Sequence, residues 1–186
     1  MIIHILGAAG SGTTTLGKAL AEAKGYTFLD TDDFHWQKTH IPFTVARPKE
    51  ERVEMLKDAI SKCDNCVISG AMCKWGDELI PYFDLVIKLE TPTEIRIERL
   101  KDREFRRFGN RILEGGDMYY NHLRFIEWAK VYDHGGLDVR SNLLHNTWLK
   151  KIDKKTLILD GTKEVSELID IIDKELFNWY KMNFMV

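Results

Sequence analysis

The sequence predicts an α/β domain built on one parallel sheet with helices on both faces. Three observations point there. Short runs rich in β-branched and aromatic residues alternate with longer helical patterns, which implies parallel pairing through crossovers. A glycine-rich turn joins the first run to the first helix, and a cluster of acids follows the second run. Those are the edges where open parallel sheets carry their sites. The chain of 186 residues, 44% hydrophobic and 30% charged, suits a single domain over residues 1–186.

In chain order, residues 2–6, 26–29, 66–69, 85–89 and 156–159 read as buried strands. Helical patterns cover 14–24, 48–62, 92–104, 119–132, 141–150 and 165–180. The third helix has a marked start, Thr91-Pro92-Thr93-Glu94: an N-cap threonine, a proline at the first helical position and a glutamate reaching back. Residues 105–118 interrupt the alternation with Gly109, Gly115, Gly116 and several arginines, and read as a lid excursion from the core. The apolar tail with Phe177, Trp179, Tyr180, Phe184 and Met185 is expected to pack on the sheet, with a subunit contact as the alternative.

Composition excludes several classes of function. Lys and Arg total 27 against 29 acids, a net charge of −2, so no basic excess draws the chain to nucleic acid. The apolar runs fall far short of the ~18–20 residues that span a bilayer, so no membrane partner is expected. The amino terminus has neither a basic region nor a cleavage pattern, which predicts a cytoplasmic protein. Cys63, Cys66 and Cys73 are an odd set in a chain able to build a core, and read as reduced thiols. Cys63-Asp64-Asn65-Cys66 precedes a strand, and neither zinc nor thiol-redox chemistry is expected of it.

The first strand runs into Gly7-Ala8-Ala9-Gly10-Ser11-Gly12-Thr13-Thr14-Thr15, at the start of a helix. Glycines let successive N–H groups turn onto an anion, and the helix amino terminus adds partial positive charge. The spacing matches the phosphate loop G-x-x-x-x-G-K-[ST] except at the lysine, replaced by Thr13. Thr14 then holds the hydroxyl position that coordinates Mg²⁺. Lacking the lysine could cost ~3–4 kcal/mol at the transition state unless another cation reaches the phosphates. Lys18, rotated off the loop-facing side of the helix, is a poor substitute, and a lid arginine is a better one.

Asp30-Thr31-Asp32-Asp33-Phe34-His35-Trp36 follows the second strand. Phosphoryl transfer to a hydroxyl needs one carboxylate at the nucleophile and another group to position Mg²⁺ and its waters, and Asp30, Asp32 and Asp33 can supply both. Asp32 is the first choice for the proton and a candidate metal ligand with Thr14. Asp33, His35 and Trp36 are placed in the acceptor pocket.

The glycine loop, the Asp30 to His35 cluster and the arginine-rich stretch together resemble the small P-loop kinases: adenylate kinase and its relatives, with shikimate, gluconate and uridine kinases as cousins. The resemblance implies a three-layer P-loop fold with a five-stranded sheet ordered 2-3-1-4-5, ATP and Mg²⁺ as cofactors, and a small-molecule phosphoryl acceptor. A nucleotide or nucleoside kinase leads. A sugar or hydroxy-acid kinase, and a nucleotide-binding regulator without fast catalysis, are the alternatives. The resemblance further implies nucleotide contacts at Arg99 and Arg103, catalytic lid arginines at Arg107 and Arg111 with Arg140 behind them, and acceptor contacts at Arg47 and Gly70. It also implies a base-side loop at Asp160-Gly161-Thr162. Val67-Ile68-Ser69-Gly70 lacks the usual aspartate at the end of the third strand, so Mg²⁺ handling falls on Thr14 and Asp32.

Overall fold

A computed structural model describes the backbone of residues 1–184 and the side chains of residues 1–178 and 181. The elements are β1 (Ile2–Gly7), α1 (Thr13–Lys24), β2 (Thr27–Asp30), α2 (Thr31–His35), α3 (Lys49–Ser61), β3 (Cys66–Ser69), β4 (Leu85–Glu90), α4 (Thr93–Phe108), α5 (Tyr119–Lys130), α6 (Asn142–Leu149), β5 (Lys155–Asp160) and α7 (Val165–Phe184). The strands form one sheet in the order β2-β3-β1-β4-β5, every pair parallel. This is the expected order, and it puts β1 at the centre with its carboxyl end between β3 and β4.

Alternation along β1 builds the two layers. Ile3 and Ile5 meet Leu16 and Leu20 of α1 and Leu168 and Ile172 of α7. Leu6 on the opposite face packs with Leu56 of α3, Met72 and Trp148 of α6. Ile3, Ile5, Leu6, Leu20 and Leu56 are all fully buried, and each such side chain contributes about 1.5–3 kcal/mol. Along β1 the apolar pattern is broken by His4, which is wholly buried, bonds the Ile68 carbonyl through Nδ1 at 3.2 Å and stacks on Phe83.

Several local expectations are corrected. The segment after β2 is a short helix, α2, because the Asp30 carboxylate accepts the Asp32 N–H and caps it. The cap of α4 is Pro92, without a side-chain bond, because the Thr91 hydroxyl instead donates to the Ser11 carbonyl at 3.2 Å. α4 continues through Phe108, carried by the Asp102–Arg106 pair one turn apart, and stops at Gly109 in a left-handed φ of 55°. The first residues of the predicted excursion are therefore helix. Its remainder is anchored by buried Ile112 and Met118 and by the Met118 N–H to the Arg111 carbonyl at 2.9 Å. A 3₁₀ turn at Val131–Asp133 ends the helix expected to reach residue 132. In the tail, Phe177 is 59% exposed beneath Lys181 and does not pack on the sheet. The Trp179, Tyr180 and Phe184 side chains and Met185 lie outside the described residues.

Candidate active site

The loop between β1 and α1 is shaped for a phosphate. α1 begins at Gly12, φ 100°, with no side-chain cap and no acid in its first turn, so its first N–H groups point out of the helix end without an internal partner. A Cβ on Gly12 would meet only Arg99 and Leu89, both at 3.9 Å, so the space before it is open. At Gly10 and Gly7, by contrast, a side chain would strike the Arg96 carbonyl and the Leu89 carbonyl. These two glycines let α4 and β4 pack against Ala8, Ala9 and the rest of the loop. Ser11 Oγ is buried in the cradle without a hydrogen-bond partner among the described residues, an orphan that a bound phosphate oxygen would satisfy. Thr13 opens the helix where a phosphate-loop lysine would stand. Lys18 lies over the Phe28 ring at 5.7 Å, away from the loop.

Thr14 and the acids form one unit. The Thr14 hydroxyl donates to Asp30 Oδ2 at 3.3 Å, and Asp30 Oδ1 accepts the Asp32 N–H at 3.0 Å. Burial, with the charges of Asp32 and Asp33 adding to it, holds the Asp30 carboxyl above the usual carboxylate range. A divalent cation at Thr14 and Asp30 would relieve that excess of negative charge. Asp32 and Asp33 are exposed on the first turn of α2. Among the described residues no group of three or more His, Cys, Asp and Glu side chains forms a closed metal cage. An ion sharing its shell with phosphates and water needs only one or two protein ligands.

The predicted arginines separate by partner. Arg99 Nη1 donates to the Gly161 carbonyl at 2.9 Å. It borders a pocket of about 220 Å³ with Gly12, Thr15, Leu16 and Leu89, on the side expected for the base. Arg103 turns away to Glu104 and the Phe125 ring. Arg107 lies over Phe43 at 5.5 Å and Phe108 at 5.9 Å and has no carboxylate partner among the described residues. Arg111 is held by Asp117 through two bonds, 2.9 and 2.7 Å. Arg47 donates to the carbonyls of Asp33, Phe34 and Trp36 and pairs with Glu51, so its guanidinium braces α2. Gly70, φ 116°, lies where any side chain would strike the Thr31 hydroxyl.

On the side expected for the acceptor, sequence reasoning missed Arg52. Arg52 of α3 places Nη1 3.1 Å from His35 Nδ1 and its guanidinium 5.9 Å from the Trp75 ring. Burial, then the charges of Arg52 and Arg140, push the His35 imidazole down to about 4. The ring is therefore neutral and can accept the Arg52 N–H. Arg140, over the Trp128 ring at 5.4 Å, is felt at both His35 and Cys73. Arg52 stands five residues beyond Arg47, and nothing in the sequence distinguishes the brace from the pocket cation. Burial pushes the Cys66 and Cys73 thiols up to about 12, which disfavours their thiolate forms.

Residues 3–113 match the family model described as an AAA domain. The chain is 44% identical over 168 residues to the uncharacterized protein YqaC of Bacillus subtilis (strain 168), covering 90% of this chain and 93% of that one. It is 32% identical over 111 residues to shikimate kinase 2 of Serratia proteamaculans (strain 568), covering 54% of this chain and 63% of that one. The structure of shikimate kinase from Acinetobacter baumannii in complex with shikimate superposes with a TM-score of 0.55 at 20% identity, over 95% of this chain and 93% of that one. The fold is thus that of the P-loop small-molecule kinases. Among the described residues no helix is long and apolar enough to cross a membrane.

Proposed function

This chain belongs to the AAA-domain family of P-loop proteins, and we propose that it transfers the γ-phosphoryl group of Mg-ATP to a hydroxyl of a small acidic acceptor. The observation that carries this reading is the Thr14–Asp30–Asp32 unit, which joins the open phosphate cradle to the acids at the carboxyl edge of the sheet. The loop from Gly7 to Thr15 cradles the phosphates through its N–H groups, and Arg99 flanks the base. Thr14 and Asp30 would hold Mg²⁺, directly or through its waters, with Asp32 beside them, and the ion would supply positive charge to offset the charge developing on the phosphates. Asp32 accepts the hydroxyl proton as the acceptor oxygen bonds to phosphorus and the bond to the departing ADP oxygen breaks. Arg107, which pairs with no carboxylate among the described residues, stands in for the lysine absent at Thr13.

An acid group on the acceptor is supported by Arg52 and Arg140, which gather around a neutral His35. A hydroxy-acid or sugar-acid acceptor fits these cations, and the shikimate kinases among the relatives act in the same sense. The nucleotide or nucleoside acceptor becomes the second choice. A phosphoryl-transfer screen of purified protein, with Mg-ATP against hydroxy acids, sugars, sugar acids, nucleosides and nucleotides, tests the reading. Transfer to a hydroxy acid or sugar acid is expected, abolished in Asp32→Asn. The rival is a nucleotide-binding regulator, favoured by Thr13. It predicts Mg-ATP binding with no transfer to any acceptor class.

A further inference from the structure

Among the described residues, two that are not glycine occupy the left-handed region, Phe43 at φ 62° and Lys74 at φ 73°. A Cβ makes that conformation costly, and glycine adopts it freely. Both lie on the acceptor rim, and both reach across to a segment that carries an arginine. Phe43 is the last link in an aromatic chain from the acids: His35 to Trp36 with centroids 4.5 Å apart, Trp36 to Phe43 at 6.3 Å, then Arg107 over the Phe43 ring at 5.5 Å. Its hairpin is tied at the base by the Trp36–Ala46 bridge and the Gln37 N–H to the Val45 carbonyl. Near the tip, His40 Nε2 lies 3.9 Å from Asp117, the carboxylate that also holds Arg111. Lys74 Nζ donates to the Asp138 carbonyl at 2.7 Å, two residues before Arg140.

We infer that Phe43 and Lys74 are positioning residues, strained struts on the acceptor rim that hold Arg107 ready for the phosphates and the Arg140 segment beside the acceptor pocket. Local turn formation does not account for the pair, because glycine would make either turn without strain. What the larger side chains add is a contact to a distant element, 64 residues along the chain in both cases. Strain of this kind persists only where surrounding contacts over-determine it. The Phe43 strut couples the hairpin to the end of α4, so closure of Arg107 on the phosphates draws residues 37–46 with it. This deepens the proposed kinase reading and rests on it for the role of Arg107.

Hydrogen exchange and thermal unfolding, with Mg-ADP as the probe, test both struts. In wild type, Mg-ADP is expected to slow exchange at residues 7–14 and also at 37–46. Phe43→Gly should keep the first effect and lose the second, with Phe43→Tyr restoring it. Lys74→Gly, in the free protein, should speed exchange at residues 136–140 on the order of tenfold, with Lys74→Arg restoring wild-type rates. Both glycine variants should melt within about 2 °C of wild type or above it, since relief of strain offsets the lost contact. A larger fall would overturn the strut reading for that residue, because a merely structural side chain costs stability when removed. Unchanged exchange in 37–46 for Phe43→Gly, or in 136–140 for Lys74→Gly, would overturn it as well. No slowing at residues 7–14 in wild type would refute nucleotide binding and the Phe43 role with it. The Lys74 arm uses no nucleotide and is decided separately.

Discussion

At Gly12 the main chain runs through φ 100° into open space, so a side chain there meets strain in the backbone and fills the place of the phosphate. Gly12→Val should therefore abolish Mg-ATP binding in calorimetric titration while the protein stays folded. Asp32 has an exposed carboxylate on α2, and only its main-chain N–H takes part in the cap that Asp30 makes. Asp32→Asn keeps shape and cap but cannot take a proton, so transfer should fall about 10²–10⁴-fold with Mg-ADP affinity within a few fold. The two lid arginines should behave differently. Arg107→Ala should lower kcat roughly 10²-fold or more in single-turnover transfer, as a group felt mainly in the transition state. Arg111→Ala removes a guanidinium already engaged by Asp117 and should leave kcat nearly unchanged. Equal losses in both would return Arg111 to the reacting phosphates.

Among the elements, α4 links the phosphate loop to the rest of the site. Its fully buried Arg96 donates to the Thr91 and Ala129 carbonyls and pairs with Asp133, joining the end of β4 to α5. The Arg96 carbonyl and Leu100 lie directly against Gly10, so the loop rests on this helix. Leu100 is wholly buried with Ile97, Ile126 and Ala129. Leu100→Ala should cost about 2–5 kcal/mol in urea unfolding, and nucleotide affinity should weaken because the loop loses its backing. A stability loss with unchanged affinity would show that the loop keeps its shape without α4.

Across the whole molecule, burial leaves imidazoles neutral that would charge in water. His4 is pushed down to about 4 and His145 to about 3, both by desolvation, against an ordinary value of 6.5. His145 Nδ1 meets the Tyr132 hydroxyl at 2.9 Å, so both rings are held in the core by one bond through Nδ1. The unfolded chain binds protons at these sites below pH 6.5 while the folded chain does not. Stability is therefore full above that pH and falls as the pH drops toward 4. Each ring accounts for a loss on the order of 3 kcal/mol by pH 4. Urea unfolding at pH 7.5, 5.5 and 4.5 should show a steady decline, and His4→Phe should make it shallower, with the share of His145 remaining. A pH-independent midpoint would mean that these rings are charged, or reach solvent, in the folded protein.

The sequence by itself determined the strand-helix alternation, the phosphate loop and the acids that follow β2. Each is written locally, in a hydrophobic period, a glycine spacing or a capping residue, and local signals survive in one dimension. The sheet order followed from the resemblance those motifs carry, and the parallel pairing agrees with it. Tertiary structure alone decided what each cation does. Arg47, Arg52, Arg99, Arg103, Arg107 and Arg111 look alike in sequence, yet one braces carbonyls, one meets a neutral histidine and another is locked to Asp117. An arginine's task depends on which carbonyls, carboxylates and rings the fold brings within reach. Those partners lie up to 64 residues away, as for Arg107 and Phe43, and no local pattern records them. The strained Phe43 escaped the sequence for the same reason, since its ring meets the end of α4. The helix at 31–35 has a local cap, Asp30 to the Asp32 N–H, but five residues are too few to show a helical period.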